Sequence, residues 1–405
     1  MMTASSMEFL DARAAAATAG NTLADAIEAR ADQVVAALRP IASDASIHIE
    51  IKDAVALLRT ADAEADRYVL ADPATPLRAY LPANNALYSA ALFVFLPALY
   101  LDDVMARPSA RSKAQYFALR DILGDAVPAT ARLVDYSQRE FADLSAGAAV
   151  VFNGRPENGM RLVDVINPTV FLGFGAGPNP ALIGPDCRGA VLGEAVEAVV
   201  AARLYNNGED CLCPDLVFVH RSVRAEFVDR LVARLREVPV TGDRGVPGLI
   251  NGPLAAADSV TGLAGQVACF ARRELWRGDG VDTPDHHPVI VREAALSDVT
   301  ADIPEYFGPV FDLVTYDRFE EVEAALSAPD RIADGMYVWG YGEPGLDGRE
   351  RLGTGRVIGP TTPFEAESGH APFGGWGRRA SWVSVGGAAP AGRPLLLADE
   401  LAAQR

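Results

Sequence analysis

Short apolar runs alternate along this chain with stretches of helical periodicity, and that alternation limits it to very few architectures. The runs at residues 104–106, 131–134, 148–152 and 216–220 are too short for helices, and segments such as 112–123, 193–206 and 223–235 repeat their apolar residues at helical spacing. Strands joined through helices cannot be hairpin neighbours; they form an open, mainly parallel sheet with helices on its faces. The rhythm runs through two sets, so the sequence predicts two α/β domains, at residues 1–175 and 176–375, with a terminal segment at 376–405. Leu23, Ile27, Val34 and Leu38 mark a first helical stretch closed by Pro40, and Ile51, Val55 and Leu58 mark a second that ends near Arg67. A Pro-containing stretch, residues 69–82, leads into an apolar run at 86–100. That run holds Ser89 and Pro97 and soon meets Asp102 and Asp103, so it reads as a buried helix and not as a bilayer span.

Charge narrows the partners. Among 405 residues, 54 are acidic and 36 basic, a formal net charge of -18 that repels nucleic-acid backbones and anionic lipid alike. We therefore expect neither nucleic acid nor membrane as a partner. Lys52 and Lys113 are the only lysines, which leaves almost no candidates for Schiff-base chemistry. Four cysteines, with no signal peptide ahead of them, are too few for a disulfide scaffold and point to a reducing cytoplasm. Neither they nor the His286-His287 pair has metal-ligand spacing, so no metal is expected.

Cys211 follows Asn206, Asn207, Gly208, Glu209 and Asp210. A glycine at 208 can end the preceding helix in a left-handed turn, lifting the thiol and its own N–H toward a cleft. That suits a covalent nucleophile with an oxyanion donor beside it; the other reading is a buried structural cysteine. Cys213, two residues on, reads as a packed small hydrophobe.

Gly208, Glu209, Asp210 and Cys211 resemble the nucleophile signature of the aldehyde dehydrogenase superfamily. Other motifs follow in that family's order. Pro82-Ala83-Asn84 is similar to its Pro-Trp-Asn turn, residues 104–109 to its Lys-Pro-Ser strand and turn, and Phe152-Asn153-Gly154 with Gly159 to its nucleotide loop. Glu305-Tyr306-Phe307-Gly308-Pro309-Val310 and Pro372-Phe373-Gly374-Gly375 are close to two further family motifs. The resemblance covers roughly residues 82–375. It implies a Rossmann-type cofactor domain at 1–175, an α/β catalytic domain at 176–375 and an oligomerisation arm at 376–405. It also implies that Cys211 attacks a carbonyl while Asn84 and the Cys211 N–H hold the oxyanion. Arg107, Ser109, Gly154, Arg155, Gly159, Glu305 and Phe307 are then the cofactor contacts.

The chain departs from the family in one decisive place. Aligned through Asn179-Pro180, the glutamate that activates water in hydrolytic members is Phe174, in the segment Phe174-Gly175-Ala176-Gly177-Pro178. A thioester on Cys211 could then pass to coenzyme A or another nucleophile, or the reaction could run in reverse and reduce an acyl group. Glu209, Glu365, Glu367 and His370 are candidate substitute bases. A non-redox acyl-transfer or binding protein with a vestigial cofactor cleft is the alternative. Ala110 stands where NAD-preferring members carry a glutamate, and Arg107 and Arg155 add guanidinium groups; both changes favour NADP(H) over NAD(H). The substrate class implied is a small aldehyde or acyl compound. Residues 69–81 leave little room for the family's oligomerisation hairpin, although residues 393–397 can supply a strand, so a homodimer is expected.

Overall fold

The structure, a computed structural model, describes residues 4–404 apart from Ala176, Ala271, Asp302 and Ile332. Ala176, part of the segment aligned above, thus lies outside the described residues.

The first sheet is built from β1 (Leu77–Tyr80), β2 (Val104–Arg107), β3 (Ala131–Leu133), β4 (Ala149–Asn153) and β5 (Val170–Phe174). The second holds β6 (Ala181–Ile183), β7 (Val217–His220), β8 (Arg273–Arg277), β9 (Ile290–Ala294), β10 (Val310–Tyr316), β11 (Tyr337–Tyr341), β12 (Arg351–Leu352) and β13 (Gly355–Val357). The chain then returns to the first sheet with β14 (Ser381–Val385) and β15 (Ala391–Gly392). The strand orders are β15-β14-β5-β4-β1-β2-β3 and β12-β13-β11-β6-β7-β10-β9-β8. β1 to β5 pair in parallel, whereas β14 runs antiparallel to β5.

Every residue of β5 is buried, as are the first four of β4, because helices cover both faces of the sheet. On one face lie α1 (Ala4–Ala29), α2 (Ala31–Leu38) and α3 (Asp44–Arg59), whose Leu23, Ile27 and Leu58 share a core with Leu77, Val104 and Leu172. On the other, α4 (Pro156–Ile166) joins Phe152, Phe171 and Trp382, the last two rings stacked at 5.0 Å. In the second sheet α5 (Gly189–Leu204) and α6 (Arg221–Glu237) pack Val196, Val199, Phe227 and Leu231 against Val217, Val219 and Trp339.

One expectation needs correction, and two stretches gain detail. Residues 393–397 do not form a strand: Leu395 makes one bridge to Phe373, and Leu397–Ala402 is a helix. Leu395, Leu396 and Leu397 are all buried in succession, which no half-exposed strand allows, and Pro394 lacks a ladder donor. The apolar run at 86–100 is helical but irregular, with Leu96 N–H donating to Ala91 O five residues back, just before Pro97. The stretch 69–82 contains β1, the middle one of the five parallel strands of its sheet. Pro76 and Pro82 bracket it and Arg78 sits inside it, a pattern that reads as loop. Arg78 is buried because its guanidinium reaches Asp103 at 2.7 Å and Leu144 O at 3.2 Å.

Candidate active site

In an open parallel sheet the loops at the carboxyl ends of the strands gather on one side. The turn holding Asn84 follows β1, Ser109 follows β2, Gly154 follows β4 and Phe174 ends β5. The sheet therefore brings these motifs, scattered over nearly a hundred residues of sequence, to one edge.

The nucleophile loop meets that edge from the second sheet. α5 ends at Leu204, and Asn206 (φ 43°), Asn207 (φ 55°) and Gly208 (φ 85°) follow in left-handed conformations. Each asparagine is fastened elsewhere. Asn206 N–H donates to Ser46 Oγ at 2.9 Å, while Asn207 Oδ1 accepts from Gly252 N–H at 2.7 Å. Gly208 must be glycine on two counts: its φ, and a Cβ there would lie 2.4 Å from Gly308 O. Cys211 comes next, half-buried, with its carbonyl accepting from Asn179 Nδ2 at 2.7 Å. Its own N–H donates to no oxygen among the described residues, as an oxyanion donor requires. Asn84 lies against the same loop, its Nδ2 donating to Glu209 O at 3.1 Å.

A fully buried cation, Arg203, ties this loop to the Glu305 loop. It pairs with Asp215 at 3.1 Å, donates through Nε to Gly308 O at 3.0 Å, and bonds Tyr306 O. Asp215 in turn accepts from Tyr306 N–H at 2.8 Å. Glu305 thereby comes within electrostatic reach of Cys211. Its Oε1 is buried without a hydrogen-bond partner, and burial pushes its pKa up to about 8, with Asp215 adding to the rise. A buried carboxyl oxygen with no donor is rare in a native fold and marks a place for a ligand hydroxyl. Phe307, 39% exposed, stands beside it as an unusually bare aromatic ring. The residues present thus fit a dinucleotide whose ribose hydroxyls would satisfy Glu305.

The other cofactor candidates are less uniform. Arg155 opens α4 and is exposed, and its charge reaches Glu305. Arg107 donates through Nε to Tyr136 O at 2.9 Å, and Ser109 Oγ accepts from Arg111 N–H at 3.4 Å. Gly154 is exposed with φ 154°, and a Cβ there would lie 3.1 Å from the Phe152 ring. Gly159 has an internal reason to lack a side chain, since a Cβ would come within 2.9 Å of Phe152 and 3.1 Å of Trp382.

Phe174 is buried, 5.0 Å from the Phe93 ring and 5.7 Å from Phe373. Phe373 stands edge-on to Tyr337 and packs with Cys211 against Leu212, Met336, Tyr337 and Ala380. Phe174 therefore abuts, through Phe373, the apolar cluster against which Cys211 also packs.

Of the four acid–base candidates, three are held elsewhere. Glu209 Oε2 accepts from Ala255 N–H at 2.5 Å; Glu365 closes a capping box with Thr362; and the His370 ring bridges Thr60 at 2.9 Å and Glu64 at 2.5 Å. Glu209 burial pushes its pKa up to about 7, whereas the Thr362 backbone bond lowers that of Glu365. Glu367 alone bears on Cys211. It lines a cavity of about 270 Å³ with Tyr337, Arg356 and Ile358, and is pushed up to about 8 by burial. Burial, with the charges of Asp210, Glu305 and Glu367, holds the Cys211 thiol well above its ordinary range. No group of three or more metal-ligating side chains occurs among the described residues.

Asn179, Arg203, Asp210 and Tyr337 belong to this site and were not singled out from the sequence. Asp210 alone had a visible signal, its place directly before the cysteine.

Known proteins resemble this chain in sequence and in fold. The 2-aminomuconic semialdehyde dehydrogenase of Homo sapiens is 30% identical over 163 residues, 36% of this chain and 31% of that protein. A succinate-semialdehyde dehydrogenase [NADP(+)] of Mycobacterium avium is 32% identical over 177 residues, 43% and 36% respectively. The aligned stretch thus spans about a third of these relatives' length. Among solved structures, a succinic semialdehyde dehydrogenase from Streptococcus pyogenes in complex with NADP+ superposes with a TM-score of 0.79 at 14% identity. It covers 96% of this chain and 88% of that one, a likeness of fold. An aldehyde dehydrogenase from Brucella melitensis gives 0.77 at 20% identity, over 96% and 83%. The profile described as "Aldehyde dehydrogenase family" matches residues 12–388, nearly the whole of the two-sheet fold and every loop of the cleft, and the chain belongs to that family.

Proposed function

We propose that this chain is a nicotinamide-dinucleotide-dependent oxidoreductase acting on an aldehyde, or in reverse on an acyl group, through a thioester on Cys211. The observation that carries the reading is the joining of two loops by Arg203, which bonds Gly208 O of the Cys211 loop as well as Tyr306 O and Gly308 O beside Glu305, whose Oε1 is buried without a donor. A bound dinucleotide would supply the hydride acceptor or donor. The chain's part is to hold the carbonyl against Cys211, steady its oxygen with the Cys211 N–H and Asn84, and satisfy Glu305 through a ribose.

The apolar side chain of Phe174, where hydrolytic members carry the water-activating glutamate, supports release of the acyl group to a thiol such as coenzyme A or a carrier in preference to water. NADP(H) is the preferred cofactor and NAD(H) the second. The charge of Arg155 is felt at Glu305, so it suits the diphosphate bridge near the nicotinamide ribose; this leaves Arg107 and the missing carboxylate at Ala110 to favour a 2'-phosphate. Two of the matched relatives' names, in brackets or title, also carry NADP.

Intact-protein mass spectrometry after incubation with an aldehyde panel and NADP+ tests this. The expected result is an acyl adduct that needs nucleotide, is absent from Cys211→Ala, and clears faster with added coenzyme A than with buffer. Full nicotinamide-dependent turnover by Cys211→Ala, or no nucleotide binding at millimolar concentration, overturns it.

A further inference from the structure

The carboxylate next to the nucleophile has no part in the chemistry proposed for Cys211, yet two loops are fastened to it. Asp210 is 2% exposed. Leu212 N–H donates to its Oδ1 at 2.8 Å, a turn that spans Cys211. Its Oδ2 serves the other loop, accepting from Asn85 Nδ2 and, at 3.4 Å, from Asn84 Nδ2. Asn85, held at φ 49°, is oriented by a second bond, its Oδ1 accepting from Tyr205 OH at 3.4 Å. Asn84 Nδ2 also donates to Glu209 O at 3.1 Å. Just beyond this turn, Glu50 Oε2 accepts from Leu87 N–H at 3.0 Å. One carboxylate thus bonds the residue after Cys211 through one oxygen and the turn carrying Asn84 through the other, across 125 positions of sequence.

We propose that Asp210 is the positioning residue of the oxyanion site, holding the Asn84–Asn85 turn where the Asn84 amide can take the negative oxygen formed as the Cys211 sulfur attacks a carbonyl. It acts through the two asparagines and transfers no proton. The 3.4 Å bond is the weaker of the two that Asn84 makes, so that N–H passes to the oxyanion while Glu209 O and the Asn85 amide keep the turn in place. The proposal rests on Cys211 being the nucleophile and Asn84 an oxyanion donor, and not on the redox reaction.

The charge state agrees with the geometry. Burial raises the Asp210 pKa only to about 6, so at neutral pH the group is ionised and accepts in all three bonds. An amide at this position could still accept from Leu212 N–H through its oxygen, but it would turn N–H donors toward the donors of Asn84 and Asn85. Asp210→Asn therefore cuts the tie between the loops and leaves the turn over Cys211 whole.

Two reactions of Cys211, both followed on its peptide by mass spectrometry with the full chain near neutral pH and no nucleotide, separate alignment from general damage. Acetylation by p-nitrophenyl acetate passes through an oxyanion: the sulfur bonds the acetyl carbon, p-nitrophenolate leaves with the C–O pair, and the thiol proton goes to solvent. Alkylation by iodoacetamide displaces iodide and forms no oxyanion. Asp210→Asn should lower the ratio of acetylation to alkylation roughly tenfold or more. Its alkylation should be no slower than in wild type, because a negative charge beside the thiol has gone. The double variant Asp210→Asn, Asn85→Asp exchanges donor and acceptor across one bond and should regain most of the ratio. A purely structural role slows both reactions together; a ratio equal to wild type, or a loss that the double variant does not recover, overturns the proposal. Should Asp210→Asn fail to fold, Asn85→Ala cuts the same bond from the other side, and an unchanged ratio there is equally fatal. Absence of nicotinamide-dependent turnover, which would defeat the redox reading, leaves these ratios unmoved.

Discussion

Glu305 illustrates what a single residue can state about function. Its oxygen is buried without a donor, an arrangement that costs about 1–3 kcal/mol unless something completes it. Replacing it by Gln exchanges the carboxyl for an amide and keeps the shape. We predict that Glu305→Gln weakens NADP(H) binding by roughly tenfold, read by nucleotide fluorescence titration, with little change in thermal stability. Glu305, Phe307, Cys211 and Phe174 were legible in the sequence because each stands in a contiguous motif. Asn179 and Arg203 were not. Asn179 reaches Cys211 O across 32 positions and Arg203 reaches Gly308 O across 105, and nothing in local spacing encodes such reach.

At the scale of elements, the two loops of the cleft are one unit because Arg203 and Asp215 hold them together. Both side chains are essentially inaccessible, at 0% and 2% exposure. Removing one partner leaves a buried charge unanswered, so Arg203→Met should destabilise the fold by about 3–5 kcal/mol, measured by denaturant unfolding. α3 carries a second device. Glu50 is 3% exposed, its carboxyl accepts from Leu87 N–H at 3.0 Å, and burial pushes it up to about 8. A carboxyl raised in the folded state binds its proton there and loses it in the unfolded chain, so stability is greatest at the acid end of the window. The melting temperature should therefore fall as pH rises from about 4.5 to 8, and Glu50→Gln should flatten that slope in a differential scanning series. Asp103 and Glu293, lowered by their arginine partners, act below this window and oppose it only in stronger acid. The helices Lys113–Leu123 and α6 were readable from periodicity, whereas β1 was hidden by its flanking prolines and its arginine. The strand expected at 393–397 belongs instead to residues 381–385, where tryptophan and valine faces fit the edge of β5.

For the whole molecule, the segment just ahead of Asn84 is not spare for a reaching hairpin, since residues 77–80 are an interior strand of the first sheet, between β4 and β2. We predict a dimer by light scattering at micromolar concentration; a tight tetramer would show that another surface takes over the arm's role. β14 has a different consequence. It joins β5 only after the whole second sheet has left the ribosome, so through most of synthesis β5 presents an open row of amide and carbonyl groups. The first sheet is thus encoded early and sealed late. A truncated product ending before residue 381 should be a clear client for chaperones, collecting in the insoluble fraction even though every residue of the cleft's motifs has been made.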